Sequence, residues 1–149
     1  KYPMNLEGYL SNDSNITKCI SESDLIIGSV YLTGKKAPTI ITRSMLEQIK
    51  PGTVLVDISI DQGGCFETSK PTTHQDPTFL IDDILHYCVS NMPGAVPLTA
   101  SESLNSASLS YVQKLANNDL NLLLNEQDFK SGLNIMAGEF RHPSLIDII

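Results

Sequence analysis

Two long apolar runs in the first half of the chain predict strands of a sheet. The runs are Asp24–Tyr31 and Thr53–Ile60, and in both of them apolar residues mostly follow one another without alternation. A strand that is covered on both faces shows this pattern, which is typical of the parallel sheets of α/β proteins. We therefore expect both runs to form buried parallel strands.

A helix is expected to connect these two strands. Thr42 can cap it, three apolar residues at helical spacing would form its buried face, and Pro51-Gly52 would end it. The three residues are Met45, Leu46 and Ile49. Strand, helix and strand together make one crossover unit. We expect a short helix before this unit, over residues 16–23, and two short strands after it, over residues 79–81 and 85–89.

The second half of the chain changes to a helical period. Thr99 and Glu102 have the spacing of a capping box, and apolar residues then recur at helical intervals up to Asn117. These residues are Leu104, Ala107, Tyr111, Val112, Leu115 and Ala116. The pattern predicts one long helix, whose apolar positions we interpret as packing surface.

Shorter elements are expected after the long helix. Residues 120–124 and 128–133 have the pattern of a short helix pair that ends at Gly132, and residues 143–149 have that of a terminal helix. Residues 135–142 fit no regular pattern, so we expect them to be irregular.

The most informative local pattern follows the second predicted strand. It reads Ile-Asp-Gln-Gly-Gly-Cys-Phe-Glu over residues 60–67, and so places Asp61 and two glycines at the end of an apolar strand. Open parallel sheets bind ligands at the carboxyl ends of their strands, where glycines let the backbone come close to a ligand and a carboxylate can reach hydroxyl groups. We interpret this strand end as ligand-facing.

Composition narrows the classes of partner. The 149 residues carry a net charge of -7 with a pI near 4.7, whereas nucleic-acid binding needs clustered Lys and Arg. We therefore expect no nucleic-acid partner. No apolar run reaches the roughly 20 residues that span a bilayer, so no membrane partner is expected either. The cysteines, Cys19, Cys65 and Cys88, have no Cys-x-x-Cys spacing, which disfavours a disulfide framework or a metal site and favours the reducing cytoplasm.

The chain resembles one known enzyme family. Residues 60–67 and a second segment, His-Tyr-Cys-Val-Ser-Asn-Met-Pro-Gly-Ala-Val-Pro over residues 86–97, look like the C-terminal portion of alanine dehydrogenases, and the likeness runs from about Tyr2 to about Leu145. The resemblance implies an NAD-dependent, homo-oligomeric enzyme that interconverts L-alanine and pyruvate. It also implies the fold class, which is α/β: the second half of a Rossmann-like parallel sheet followed by a C-terminal helical segment.

The resemblance also implies site residues, position by position. Asp61 would be the catalytic carboxylate, and Ser11 would lie near the adenine side of NAD. Cofactor contacts are implied for Ser11, Val30, Tyr31, Ile58, Ser59, Ile60, Asp61, Lys70, Val89, Ser90, Asn91 and Met92. Lys70 stands where relatives usually have Arg, so a two-pronged contact made by Arg would become a single point charge.

We expect the chain to be a fragment. A complete dinucleotide-binding fold begins with a Gly-x-Gly-x-x-Gly turn and has an acidic residue about 20 positions later, and no such glycine pattern occurs here. In the family, the Arg, Lys and His that handle the substrate precede the segment that this chain matches. We expect residues 1–98 to form a partial NAD-binding domain, and residues 99–149 to form the long helix and a segment that returns to the substrate domain.

Several features also have simpler explanations. Asp61 could merely cap the following turn, and the glycine pair could merely make that turn tight. Asp57, inside the second strand, is better explained as an acceptor for backbone donors or a neighbouring loop. His74 and His86 could act as acids or bases near neutral pH, but a single His on an apolar strand is more often a satisfied core residue.

Three functions remain open. The leading hypothesis is a piece of an alanine dehydrogenase that is inactive alone. The second is the related NAD-binding domain of a proton-translocating transhydrogenase. In that group the aspartate and the Cys-Phe-Glu run are typically replaced, whereas residues 60–67 keep both here. The third is a non-catalytic remnant that acts only through interaction, in line with the absent phosphate-binding turn.

Overall fold

A computed structural model describes residues 5–146 of the chain. These residues form two compact units. The first contains residues 5–32 and 36–91, and the second contains residues 33–35 and 92–146. The strand end that the sequence marks as ligand-facing belongs to the first unit.

The first unit is built on a four-stranded sheet. Its strands are Leu25–Gly28 (β1), Val54–Asp57 (β2), Thr78–Ile81 (β3) and Ile84–Tyr87 (β4). Their order is β1-β2-β4-β3, with β1, β2 and β4 parallel and β3 antiparallel to β4 at one edge. The parallel pairing of β1 with β2 confirms the predicted crossover unit and the α/β class.

Each strand of the crossover unit is shorter than predicted. β2 stops at Asp57 because the Asp57 carboxylate accepts the Ser59 N–H at 3.0 Å, which starts a 3-10 helix over Ile58–Gln62. β1 ends at its partner residue, Gly28. The predicted strand ends at residues 31 and 60 are therefore wrong, and the residues beyond Gly28 and Asp57 are free to form loops above the sheet edge.

Helical segments precede and connect the two parallel strands. The first is α1, over Asp13–Glu22, which begins three residues earlier than predicted because the Asn12 side chain caps it. The connection is a 3-10 helix, Ser44–Gln48, rather than an α-helix. Thr42 does not cap it: the backbone N–H groups of Met45 and Leu46 bond to carbonyls three residues back, and Arg43 takes the cap position without a side-chain bond.

The core of this unit lies on one face of the sheet. Leu46 and Ile49 are buried there as predicted, together with Ile20 of α1 and with the centres of the strands. Side chains alternate between the two faces of a strand, so Leu25 and Ile27 of β1 point the other way and remain 55% and 57% exposed. The prediction that β1 is covered on both faces is therefore wrong for the described residues.

A tight turn joins β3 and β4 into a hairpin. Its two central residues, Asp82 and Asp83, have φ values of 52° and 59°. Positive φ at both positions is the signature of the two-residue turn whose twist suits adjacent antiparallel strands, and Asp tolerates it better than most residues. The two predicted strands are confirmed, with β4 beginning at Ile84 and ending at Tyr87.

The second unit is mainly helical. Its helices are Pro97–Asn117 (α2), Leu120–Leu123 (α3), Gln127–Gly132 (α4) and Pro143–Ile146 (α5). The long helix and the short pair are confirmed, whereas residues 147–149 of the predicted terminal helix lie outside the described residues. The capping box is wrong: α2 begins at Pro97, whose fixed φ suits a first helical position, so Thr99 and Glu102 lie inside the helix.

The long helix is less packed than predicted. It has no buried residue within the described structure, and its apolar positions Leu104 and Val112 are 70% and 56% exposed. Tyr111 packs edge-on against Phe129 of α4, with ring centroids 5.8 Å apart. Lys114 forms a 2.7 Å ion pair with Glu126. These contacts hold α4 beside the C-terminal half of α2.

Residues 135–142 are partly regular, contrary to the prediction. Ile135–Met136 (β5) and Glu139–Phe140 (β6) form a small antiparallel hairpin. Ala137 and Gly138 make its turn with φ values of 52° and 80°. Ala is an unusual residue at positive φ, so the turn carries no clear sequence signal. Within residues 5–146, no helix combines the length and the apolar character needed to span a membrane.

Candidate functional site

The candidate site lies at one edge of the sheet. β1, β2 and β4 run parallel, so their carboxyl ends meet at this edge, where open α/β sheets bind ligands. The segments that leave these ends are Val30–Tyr31, Ile58–Asp61 and Val89–Asn91. The fold thus brings together nine of the predicted site residues. Met92 belongs to the second unit.

Asp57 organises the loop that follows β2. Its side chain is fully buried and accepts hydrogen bonds from three backbone N–H groups, one hydroxyl and the Cys65 thiol, whose Sγ lies 3.4 Å from Oδ1. The other donors are Ser59 N at 3.0 Å, Cys65 N at 2.8 Å, Phe66 N at 3.4 Å and Ser69 Oγ at 2.5 Å. The predicted structural role of Asp57 is therefore confirmed, because one carboxylate fixes the beginning, middle and end of the loop 58–69.

The two glycines of the motif serve this loop in different ways. Gly63 follows the 3-10 helix with a φ of 94°, and Gly64 has a φ of 77°, both in the left-handed region that favours glycine. A Cβ at Gly64 would lie 2.9 Å from Asp57 Oδ2 and 2.8 Å from the Ser69 Cβ. The close approach that Gly64 permits is therefore to the buried carboxylate of the protein itself.

Two thiols line the same interior. Cys65 and Cys88 are fully buried, and all three cysteines are free. Burial, together with the negative charge of Asp57, raises the pKa of the Cys65 thiol to about 12. Burial also raises the pKa of Cys88. Because a thiol reacts as its thiolate, these two groups are inert near neutral pH.

Asp61 is exposed and faces the end of β4. Its carboxylate oxygens lie 3.1 and 3.4 Å from the backbone N–H of Asn91, which donates to them across 30 residues of sequence. Asn91 itself has a left-handed φ of 53°. Asp61 therefore does not cap its own turn. It ties the loop after β2 to the loop after β4 while its side chain stays accessible to solvent.

His74 supports the same loop from the other side. Its Nε2 lies 3.2 Å from the backbone carbonyl of Asn91, and its ring is exposed. The interpretation of His74 as a core residue is wrong, because it lies in a loop rather than on a strand. The peptide groups on both sides of Asn91 are thus held, one by Asp61 and the other by His74.

His86 is the satisfied core histidine that the sequence predicts. Its Nε2 lies 2.8 Å from Thr68 Oγ1 and its Nδ1 lies 3.0 Å from the carbonyl of Ile84. Burial lowers the pKa of His86, so the ring stays neutral at physiological pH. Phe79 stacks on it with ring centroids 4.8 Å apart, and the Lys70 ammonium lies 4.3 Å from the Phe79 centroid. This cation–π contact positions Lys70 within the first unit.

The remaining predicted residues differ in exposure. Tyr31 is 66% exposed and Ile58 is 51% exposed, so both present apolar surface at the sheet edge. Val89 and Ile60 are buried, which leaves their backbone as the part that a ligand could meet. Ser11 is exposed and directly precedes Asn12, the cap of α1.

One link at this edge is not evident from the sequence. The Ser59 hydroxyl lies 2.7 Å from the backbone N of Val30 and 2.9 Å from its carbonyl oxygen. The Ser59 side chain thus accepts one hydrogen bond from Val30, which follows β1, and donates another to it. The sequence carries no signal for this pair, since the two residues are 29 positions apart.

The donor set fits one half of a dinucleotide. An exposed carboxylate can accept ribose hydroxyls, and backbone groups at three strand ends can contact a ring and its sugar. Pyrophosphate, by contrast, is bound by a glycine turn at a helix N-terminus, and the sequence has no Gly-x-Gly-x-x-Gly pattern. The residues at this edge therefore fit a ribose with its attached ring better than a pyrophosphate.

Comparisons with known proteins identify the family of the chain. Residues 2–143 match the family model described as alanine dehydrogenase/PNT, C-terminal domain. The chain belongs to this family. It is 45% identical over 148 residues to an alanine dehydrogenase of Halomonas elongata, a match that covers 99% of this chain and 40% of that protein. It is 50% identical over 111 residues to an alanine dehydrogenase of Mycolicibacterium smegmatis, with 74% of this chain and 30% of that protein covered.

Solved structures give the same relationship. An L-alanine dehydrogenase superposes with a TM-score of 0.76 at 43% identity, over 93% of this chain and 40% of that one. A transhydrogenase from Sinorhizobium meliloti superposes with a TM-score of 0.56 at 23% identity, over 88% of this chain and 35% of that one, and so shares the fold. The family member described here spans about 40% of the length of the alanine dehydrogenase from Halomonas elongata.

Proposed function

We propose that this chain is the C-terminal portion of an NAD-dependent L-alanine dehydrogenase, which converts L-alanine, NAD and water to pyruvate, ammonia and NADH. The observation that carries the proposal is the exposed Asp61 carboxylate, held at the shared carboxyl edge of three parallel strands within the segment 60–67. Its support from relatives is the 45% identity to an alanine dehydrogenase along nearly the whole chain.

NAD is the cofactor that we propose for this edge. When bound, it would accept the hydride that leaves the Cα of alanine. In this proposal Val30, Tyr31 and Ile58 contact the nicotinamide riboside from one side, and residues 89–91 close the other. Ser11 would lie on the adenine side, and Lys70 would supply a positive charge near the cofactor.

Asp61 is the residue to which we assign the chemistry. Its carboxylate can accept a ribose hydroxyl and so orient the ring, and its negative charge can stabilise the positive iminium group that alanine becomes after losing hydride. The charge can also align the water that attacks this carbon. The Asn91 N–H fixes the carboxylate in place before substrate arrives, and such preorganisation lowers the cost of reaching the transition state.

The domain arrangement is part of the proposal. Residues 1–98 would form a partial NAD-binding domain, and residues 99–149 would lead back towards a substrate domain. The groups that hold the alanine carboxylate, and the histidine that exchanges protons with substrate, would come from that domain. The free buried thiols suit a reducing cytoplasm.

A homo-oligomer is proposed on the basis of exposed apolar surface. β1 is an edge strand of the described sheet, and its residues Leu25 and Ile27 are more than half exposed. Unpaired strand edges with apolar side chains recruit other chains. In the second unit, α2 exposes Leu104 and Val112, which adds apolar surface of the same kind.

The test is an assay of the product of the complete reading frame that encodes this chain. NADH formation is followed by absorbance with L-alanine, with D-alanine and without substrate. The proposal predicts formation that depends on L-alanine and releases one ammonia per NADH. If the expressed protein reduces an NADP analogue with NADH but leaves L-alanine unchanged, it is a transhydrogenase and the proposal is wrong.

A further inference from the structure

The two parallel strands β1 and β2 lose their backbone pairing before the chain reaches the candidate site. Their register ends with Gly28 opposite Asp57. Beyond that pair, the chain after β2 coils into the 3-10 helix Ile58–Gln62, so its backbone no longer presents donors and acceptors to the extension of β1. Val30 lies two residues past the end of β1 and therefore has no neighbouring strand with which its backbone can pair.

Ser59 replaces the missing backbone partner. Its hydroxyl accepts the Val30 N–H at 2.7 Å and donates to the Val30 carbonyl at 2.9 Å. A single side chain therefore makes the pair of bonds that a neighbouring strand would make with one residue. Ser59 is 5% exposed, and its own N–H is bonded to the buried carboxylate of Asp57 at 3.0 Å.

This arrangement joins two segments of the candidate site. Asp57 fixes the backbone of Ser59, and Ser59 fixes the backbone of Val30, so the Val30–Tyr31 segment is held relative to the helix that carries Asp61. The donor capacity of the hydroxyl is used in this link. A serine hydroxyl has one proton to donate, and that proton goes to Val30, so the buried side chain is poorly placed to donate to a ligand.

We propose that Ser59 is a positioning residue for cofactor binding, which acts on NAD through the backbone of Val30 rather than by side-chain contact. The inference rests on the proposed function and deepens it, since it divides the predicted contact segment 58–61 into a residue that supports the site and a residue, Asp61, that faces the ligand. Asp61 keeps its own supports in the absence of the hydroxyl, namely the Asp57 bond to Ser59 N and the Asn91 N–H.

Loss of the hydroxyl should therefore weaken cofactor binding more than it slows turnover. In Ser59→Ala, the N–H and carbonyl of Val30 lose their partner, and the segment Val30–Tyr31 gains freedom that NAD must remove when it binds. We expect the KM for NAD and the Kd for NADH to rise about tenfold, while kcat changes by less than about threefold. Ser59→Cys keeps a weak donor of similar size, so its KM for NAD and its Kd for NADH should lie between those of wild type and Ser59→Ala.

Thr53→Val is the matched control. Thr53 is 2% exposed, precedes the other end of β2, and donates its hydroxyl to the carbonyl of Ser23 at 3.2 Å. Its loss removes a comparable buried hydroxyl bond between the same two parts of the sheet, at the edge away from the candidate site. We expect a similar loss of thermal stability with KM for NAD unchanged.

The experiment uses the product of the complete reading frame. KM, kcat and NADH Kd are measured for wild type and the three variants, and hydrogen exchange is followed in a peptide that contains Val30. The inference predicts faster exchange at Val30 and weaker NAD binding in Ser59→Ala, a smaller change of both in Ser59→Cys, and no change of either in Thr53→Val. Normal NAD binding in a folded Ser59→Ala, or equal weakening in Thr53→Val, would overturn it.

The wild-type protein separates this inference from the proposed function. If wild type binds NADH but does not oxidise L-alanine, the proposed reaction is wrong and the NADH Kd values still decide the role of Ser59. If wild type does not bind NADH, both are wrong. If wild type is active and Ser59→Ala loses kcat with KM unchanged, Ser59 acts on the chemistry and the positioning role is wrong.

Discussion

Asp57→Asn tests how much of the site depends on one buried charge. The substitution keeps the size of the side chain and removes one of two acceptor oxygens. In the wild type, Oδ2 accepts bonds from Cys65 N, Phe66 N and Ser69 Oγ, and Oδ1 accepts the bond from Ser59 N. If the asparagine oxygen takes the place of Oδ2, its amide nitrogen faces the Ser59 N–H, and two donors then oppose each other. The reverse orientation leaves three donors without their acceptor, so the first orientation is favoured.

The cost can be estimated from these contacts. An unsatisfied buried Ser59 N–H costs about 1–3 kcal/mol, and each of three bonds weakens by about 1 kcal/mol when its acceptor becomes neutral. Removal of a buried charge offsets part of this loss. We therefore expect a net destabilisation of about 3–5 kcal/mol. For a chain of this size, roughly 2–4 °C per kcal/mol gives a fall in Tm of roughly 6–20 °C.

Thermal unfolding followed by circular dichroism is the assay, with Asp61→Asn as the matched control. Asp61 is exposed and receives one backbone N–H, so its substitution should cost less than about 1 kcal/mol. An Asp57→Asn variant whose Tm lies within about 2 °C of wild type would refute the reasoning. So would equal losses for the two aspartates.

Four further predictions concern the loop, the thiols, cofactor binding and assembly. Gly64→Ala should lower the free energy of unfolding by roughly 3 kcal/mol or more, because its Cβ would meet Asp57 and Ser69. Gly138→Ala is the control: Gly138 has a similar φ of 80° with nothing within 4 Å of an added Cβ, so its substitution should cost about 1 kcal/mol. Equal urea midpoints for the two variants would contradict this prediction. With Ellman's reagent near pH 8, only Cys19 should react in the native chain and all three cysteines after denaturation, because burial keeps Cys65 and Cys88 protonated; rapid native reaction of all three would be incompatible with the buried thiols. The chain alone should bind NADH weakly or not at all by calorimetry, for want of a phosphate-binding turn, and should self-associate in light scattering; a roughly micromolar one-to-one isotherm or a dilution-resistant monomer would count against these expectations.

The sequence predicts the sheet well because its signals are local. Continuous apolar runs identify β1 and β2, and the helical period identifies α2 over most of its length. The position of Asp61 at the carboxyl edge of the sheet follows from the strand that precedes it. Asp57 could also be assigned a structural role, since a carboxylate within an apolar strand needs buried donors.

The errors arise where individual side chains or distant residues decide the local structure. The end of β2 depends on a local bond from the Ser59 N–H to the Asp57 carboxylate, which the apolar run around it hides. The bonds between Ser59 and Val30 span 29 residues and leave no trace in the adjacent sequence. The hairpin around Ala137 was unexpected because its turn uses a residue that seldom adopts positive φ. Exposure of Leu25 and Leu104 could not be predicted, since apolar periodicity reports which face of an element is apolar and not what covers it.

The central claim is that Asp61 carries the charge required for alanine oxidation, and kcat of Asp61→Asn tests it most directly. The measurement uses the product of the complete reading frame, with Tm recorded in parallel. We expect kcat to fall by roughly 10²- to 10⁴-fold while Tm changes by less than about 4 °C. A near-normal kcat in Asp61→Asn, or an unfolded Asp61→Asn beside a stable Asp57→Asn that has lost turnover, would contradict the account.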